Sequence, residues 1–177
     1  AQSADVLFVT HPNHIPFELR RLTGGDDLVA NWEWVKYKPT DGPWLDLNTD
    51  SDHTLHVSGL SGAVTVTSNR EMFSSTDFLR LIAIEQASTT EDDEDESYGK
   101  VLRGHGQIVG IEDSRHATVL TTVNFQEAGE DGASSLWRLG AWGEATGFPR
   151  AITFHQNRLW FGGNIKQPQT IWASATN

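Results

Sequence analysis

The hydrophobic pattern of this chain is one of short β-prone runs set between turn-forming clusters. Asp5 to Thr10 is apolar and β-branched, and it ends at His11-Pro12-Asn13-His14-Ile15-Pro16, where two prolines impose an extended or turning backbone. Phe17 to Leu22 resumes with Phe17, Leu19 and Arg21 on one face, which predicts a hairpin. Thr23-Gly24-Gly25-Asp26-Asp27 is a turn cluster. Beyond it, Trp32, Trp34 and Lys36 share one face and Glu33, Val35 and Tyr37 the other. The opening of the chain therefore predicts three strands.

After the turn Asp41-Gly42-Pro43-Trp44, and from about Asn48, the texture shifts to Ser, Thr, Asp and Gly with short β-branched runs. Strands are predicted over Thr54–Val57 and Ala63–Thr67, joined through Ser58–Gly62. Ser75 is placed to cap a single helical turn ahead of a strand from Leu79 to Gln86. Glu91 to Glu96 is an unbroken run of carboxylates, whose mutual repulsion predicts a solvated loop. Strands return over Gly106–Ile111 and Ala117–Val123, followed by an acidic, glycine-rich loop from Glu127 to Ser134. At Leu136 the aromatic texture of the opening reappears. The expected organisation is all-β: an outer propeller-like or meander domain in two parts, 1–48 and 136–177, interrupted by an inserted small β-barrel or sandwich at 49–135.

Leu136 to Trp172 carries four of the seven tryptophans. Ala151–Phe154, Arg158–Phe161 and Thr170–Ala173 are β-prone, and Gly162-Gly163 breaks the second from the third, so an antiparallel meander is expected. Such a unit suits a propeller blade or the edge of a larger sheet. Its tryptophans are expected to pack against the strands of residues 4–37.

Composition narrows the function. The 177 residues are enough to bury a sizeable core, and without cysteine that core holds by packing alone. A net charge of −11, from 24 acidic and 13 basic residues, disfavours general binding to nucleic acid phosphates. The same balance suits a conduit through which DNA slides without sticking. No run of about 18 apolar residues marks a membrane span, and no signal peptide is visible. The chain opens on Ala1, and Ala4–Val9 already reads as a strand, so an internal fragment is expected.

Candidate chemistry is sparse. His11-Pro12-Asn13-His14 and His53-Thr54-Leu55-His56 both have the His-x-x-His spacing, but neither carries the Glu or third ligand of a zinc hydrolase. Glu91–Glu96 offers hard oxygen ligands for calcium without the alternating order that turns them inward. No pair of carboxylates is marked out for glycoside hydrolysis. Gly104-His105-Gly106-Gln107-Ile108-Val109-Gly110 has glycines but follows no βα unit that would make it a phosphate loop, and Gly-x-Ser-x-Gly is absent. Trp32, Trp34, Trp137, Trp142 and Trp160 sit among alternating apolar positions, which favours core and subunit-interface packing over stacking on sugars or bases. No catalytic residue, cofactor or metal is expected, and the chain is not read as an enzyme.

Trp137-Arg138-Leu139-Gly140-Ala141-Trp142, the run Gly147 to Gly163, and Pro168-Gln169-Thr170-Ile171-Trp172-Ala173-Ser174 together resemble a signature of the tail nozzle proteins of short-tailed bacteriophages, the tail tubular protein B family. Gln2 to Pro12 resembles a segment lying upstream in the same proteins, and Phe73 to Ile82 carries a more general likeness. The two main stretches cover under half of the chain, and family members are several times longer. The resemblance implies a structural virion protein of the tail with a propeller-like body, assembled as a ring, a hexamer in the full-length protein. It implies neighbours among tail adaptor and fibre proteins, and DNA that passes without specific binding. It implies no catalytic residues. Trp137, Trp142, Pro149, Arg158, Trp160, Gly162, Gly163 and Trp172 are then the packing signature. A carbohydrate-binding, receptor-recognising β module of a tail is the alternative, resting on the tryptophans and the acidic loops.

Overall fold

The computed structural model describes residues 1–3, 5–22, 31–87 and 100–175. The expected turn at Thr23–Asp27 and the carboxylate run Glu91–Glu96 lie outside these residues. The fold is all-β, with 51% of residues in strands and no helix of seven residues or more among those described. The chain divides into two compact units, one of Ala1–Pro43 with Trp142–Asn177 and one of Trp44–Ala141.

The first unit opens with an antiparallel sheet of four strands in chain order, β1 (Gln2–Ser3), β2 (Val6–His11), β3 (His14–Leu22) and β4 (Asn31–Lys36). The short β1 adds one strand to the three expected. Register pairs Leu7 with Leu19 and Leu19 with Trp34, so these three share a face. Pro16 lies inside β3 near a register shift between Val9 and His11, where its missing N–H interrupts no regular ladder.

The second unit holds β5 (Leu55–Val57), β6 (Ala63–Ser68), β7 (Leu81–Ala87), β8 (Val101–Ile111), β9 (His116–Val123) and β10 (Trp137–Leu139) in one antiparallel sheet ordered β10-β7-β8-β9-β6-β5. This sheet curls until its two sides meet: Leu55 and Ser134, just ahead of β10, exchange both backbone hydrogen bonds at 2.9 and 2.8 Å. Alternation along each strand sends Leu55, Val57, Val64, Val66, Ile82, Ile84, Ile108 and Val119 inward, and Phe73 and Phe125 are buried with them in this core. β8 begins five residues earlier than Gly106, the expected start, because the unpromising stretch Val101–His105 pairs with Ala83–Ala87 across β7.

Polar side chains lock the loops onto this curl. The Gln86 amide, buried at the end of β7, donates to the carbonyls of Glu127 and Gly132 at 2.8 and 2.6 Å and accepts from the Gln126 N–H at 3.0 Å. The acidic loop predicted from composition is thus pinned from inside. The helical turn is a 3-10 turn over Ser75–Asp77, preceded by Ser74 rather than capped by Ser75. The reason lies in Asp77, whose carboxylate accepts from both the backbone N–H and the hydroxyl of Ser74, at 3.0 and 3.1 Å.

The joints between the units fall at 43/44 and 141/142, not at 48/49 and 135/136. Hydrogen bonds explain the shift. The N–H groups of Leu45 and Asn48 donate to the carbonyls of Leu139 and Trp137 at 2.9 and 2.8 Å, and Trp44 forms a bridge with Gly140. Both flanking segments therefore run with the second unit. The chain then returns to the first unit as a three-stranded antiparallel meander of β11 (Ala151–His155), β12 (Arg158–Gly162) and β13 (Ile171–Ala173).

Candidate functional site

The first unit is built around an aromatic cluster. Phe8 on β2 meets Tyr37, just past β4, at 6.1 Å between ring centroids, and Phe154 on β11 at 5.5 Å. Tyr37 also touches Phe161 at 5.3 Å and Trp142 at 6.5 Å, while Trp142 sits edge-on to Phe161 at 4.7 Å and to Trp172 at 5.7 Å. Edge-to-face aromatic pairs at these separations add roughly 0.5–1.5 kcal/mol each beyond area burial. Burial, and secondarily the Glu18 carboxylate, hold the Tyr37 phenol above its ordinary range.

Backbone ties reinforce the same contact. The Phe148 N–H donates to the Pro12 carbonyl at 2.9 Å, and the Thr10 hydroxyl donates to the carbonyl of the buried Pro149. Gly163 takes φ of +48° after β12, and a Cβ there would lie 2.6 Å from the Pro168 carbonyl oxygen. Glycine is thus required at that turn on two counts. Gly162, at the end of β12, pairs with Ala151 and Ile171. Arg158 and Trp160 alternate with the buried Leu159 and Phe161 on β12 and so occupy the opposite face. There the Arg158 guanidinium reaches the Ser174 carbonyl at 3.4 Å and the Trp160 indole donates to the His155 carbonyl at 3.0 Å.

Trp137 does not join this cluster, contrary to the expectation that the tryptophans after Leu136 pack on the strands of residues 4–37. β10 pairs with β7 of the second unit, and there Trp137 packs edge-on to His53 at 4.8 Å and donates to its carbonyl at 2.9 Å. Trp32 and Trp34 also depart from core packing. They are 58% and 53% exposed, with Trp34 stacked on Phe17 at 5.0 Å and 18°.

The histidines are dispersed. His11 and His14 face each other across the β2–β3 turn at 5.0 Å. His56 lies on β5, while His53 precedes that strand and lies 2.9 Å through Nε2 from the hydroxyl of the buried Ser68. Ser68 also accepts from the Arg70 N–H at 3.2 Å, so its oxygen serves as a buried tie. Among the described residues, no group of three or more His, Cys, Asp or Glu gathers in the manner of a metal site. Gly104-His105-Gly106 lies within β8, where its glycines serve strand packing.

Burial, with the nearby Arg70 guanidinium, lowers the His53 pKa below the ordinary imidazole value, while the Asp50 carboxylate opposes this. The folded state therefore favours the neutral ring. As pH falls through the unfolded value of about 6.5, the unfolded chain binds the proton first and stability drops until the folded pKa is passed. Asp50 and Asp113 are shifted down mainly by hydrogen bonds to the carboxylate from backbone N–H groups and from Arg70 or His116, so their contribution is lost only at lower pH. The thermal midpoint is expected to be lower at about pH 5 than at about pH 7.5, and His53→Gln is expected to flatten that difference. An unchanged pH profile in the variant would contradict the assignment.

Comparison with protein-family models finds no match, and comparison with curated proteins finds none either. Among the described residues no helix is long and apolar enough to cross a membrane.

Proposed function

We propose that this chain is a structural part of a phage tail nozzle, a subunit of a ring around the channel through which DNA leaves the virion. One observation carries the reading. Two of the stretches that resemble the nozzle family, Gln2–Pro12 and the run from Gly147 to Gly163, meet in one unit through Thr10 with Pro149, Pro12 with Phe148, and Phe8 with Phe154, while the stretch ahead of Trp142 belongs to the other unit. A motif whose distant parts pack together is a structural motif. The residues it supplies are aromatic anchors, turn glycines and backbone ties, which serve packing rather than turnover.

The acidic balance of −11 supports the same role, because a phosphate backbone passes an acidic surface without being retained. Its partners would be further copies in a hexameric ring and the adaptor and fibre proteins of the tail. Negative-stain electron microscopy of the protein purified from virions or expressed from its own gene is expected to show rings with a central channel. Particles without a channel at every protein concentration would overturn the proposal.

A further inference from the structure

The four-stranded sheet of the first unit has one face on the aromatic cluster, and among the described residues nothing packs over Trp32 and Trp34 on the other. Strand alternation and register arrange the open face as three rows: Asp5, Arg21 and Trp32; then Leu7, Leu19 and Trp34; then Val9, Phe17 and Lys36. Trp32, Trp34 and Leu7 are 58%, 53% and 38% exposed. With roughly 150–250 Å² on an aromatic side chain, and the partly exposed Val9, Phe17 and Leu19 added, the apolar area is roughly 400 Å². A stable interface buries about 800 Å² per partner, somewhat over half of it apolar, so this face has the size of one such interface core.

We infer that the face binds the same face of a second copy of this chain in a two-fold dimer. Charge chooses both the occupant and its orientation. The chain carries −11 overall, yet among the described residues this face holds Arg21 and Lys36 against Asp5, with Arg21 and Asp5 paired at 3.9 Å, so it is where two acidic molecules can approach. A two-fold axis along the strands would set Arg21 on its own symmetry mate. One across the strands would bury Asp5 against Val9. One diagonal sets Asp5 on Asp5 and Lys36 on Lys36. The other diagonal, with the two sheets crossing near a right angle, sets Lys36 opposite Asp5 of the partner subunit, Arg21 over the partner subunit's Trp34 and Leu7 on the partner subunit's Phe17. It alone leaves no charge opposed by its like or by an aliphatic side chain.

The pairing does not rest on the nozzle reading. It is isologous, whereas a cyclic ring uses heterologous contacts, so either can fail without the other. Sedimentation velocity on the chain from about 1 to 300 micromolar should show a reversible monomer–dimer equilibrium. Trp34→Ala should weaken it by roughly 30-fold or more, the loss expected of a hot-spot aromatic. Lys36→Asp and Asp5→Lys should each weaken the dimer, and the double variant should regain it. All three positions are exposed, and circular dichroism with unfolding midpoints checks that each variant folds. A monomer throughout the range overturns the proposal. Dimerisation indifferent to Trp34 overturns the face, and a double swap no better than the singles overturns the diagonal. Selective glycan binding by a monomer, lost in Trp34→Ala, would make the face a sugar platform instead.

Discussion

Replacing Asp77 by alanine is expected to destabilise the protein by about 3–5 kcal/mol, the usual cost of leaving one member of a buried ion pair alone. Asp77 and Arg80 meet at 2.8 Å, each with only 6% of its side chain exposed. The Arg80 guanidinium also donates through Nε to the Gly140 carbonyl at 2.8 Å, while the backbone of Arg80 accepts from the Ile108 N–H at 2.9 Å. Arg80 thus ties the 3-10 turn and the segment after β10 through its side chain, and β8 through its backbone. Without Asp77 the guanidinium stays buried with half its partners, and the Ser74 N–H loses its acceptor.

Removing both charges should cost less than removing one. In Asp77→Leu with Arg80→Met no ion is stranded, and the remaining losses are the tie to Gly140 and the acceptor for Ser74. Urea unfolding of the two singles and the double closes the cycle. At a total stability of about 5–15 kcal/mol, Asp77→Ala should leave a visibly shifted midpoint even if the protein begins near the upper end. Additive losses in the double, or a loss under about 1 kcal/mol in Asp77→Ala, would show that the pair is not coupled.

This pair marks where the sequence stops being legible. Strand positions follow from alternation, because a strand buried on one face must repeat every second residue, and Ala63–Ser68, His116–Val123 and Arg158–Gly162 all obey that rule. Val101–His105 does not, since the successive residues Gly104 and His105 are both buried there. Asp77 and Arg80 read as surface charges until the chain brings Gly140 over them. Trp137 and Trp142 look equivalent in sequence, yet the joint between the units falls between them. Nothing local says on which side of a joint a tryptophan belongs. Trp32 and Trp34 alternate just as core residues do, because a face that awaits a partner has the same pattern as one already covered.

Gly106→Ala is expected to cost at least 2 kcal/mol or so, more than an exchange in an ordinary strand interior, where alanine usually improves on glycine. A Cβ at Gly106 would fall inside contact distance of the Leu120 carbonyl oxygen and 2.7 Å from Val119 Cγ1. The first obstacle is backbone, so no change of rotamer relieves it; β8 and β9 would have to separate. The pairing there already shifts register between His105 and Gly106 and again between Ile108 and Gly110, and such bulges are where a sheet bends. Gly104 faces the same limit from another direction, with its Cβ position 2.5 Å from the Phe125 ring and 2.7 Å from the Phe125 Cα. The bare backbone at 104 and 106 therefore lets Phe125 and β9 lie against the inside of the curl, which explains glycines that resemble a phosphate loop only in spelling. Gly110→Ala is the internal control, since its Cβ would meet Thr118 at 3.3 Å, a contact that a few tenths of an ångström relieve. Chemical unfolding should rank Gly106→Ala well below Gly110→Ala in stability, and equal midpoints for the two would mean that close approach of the strands does not set the curvature of this sheet.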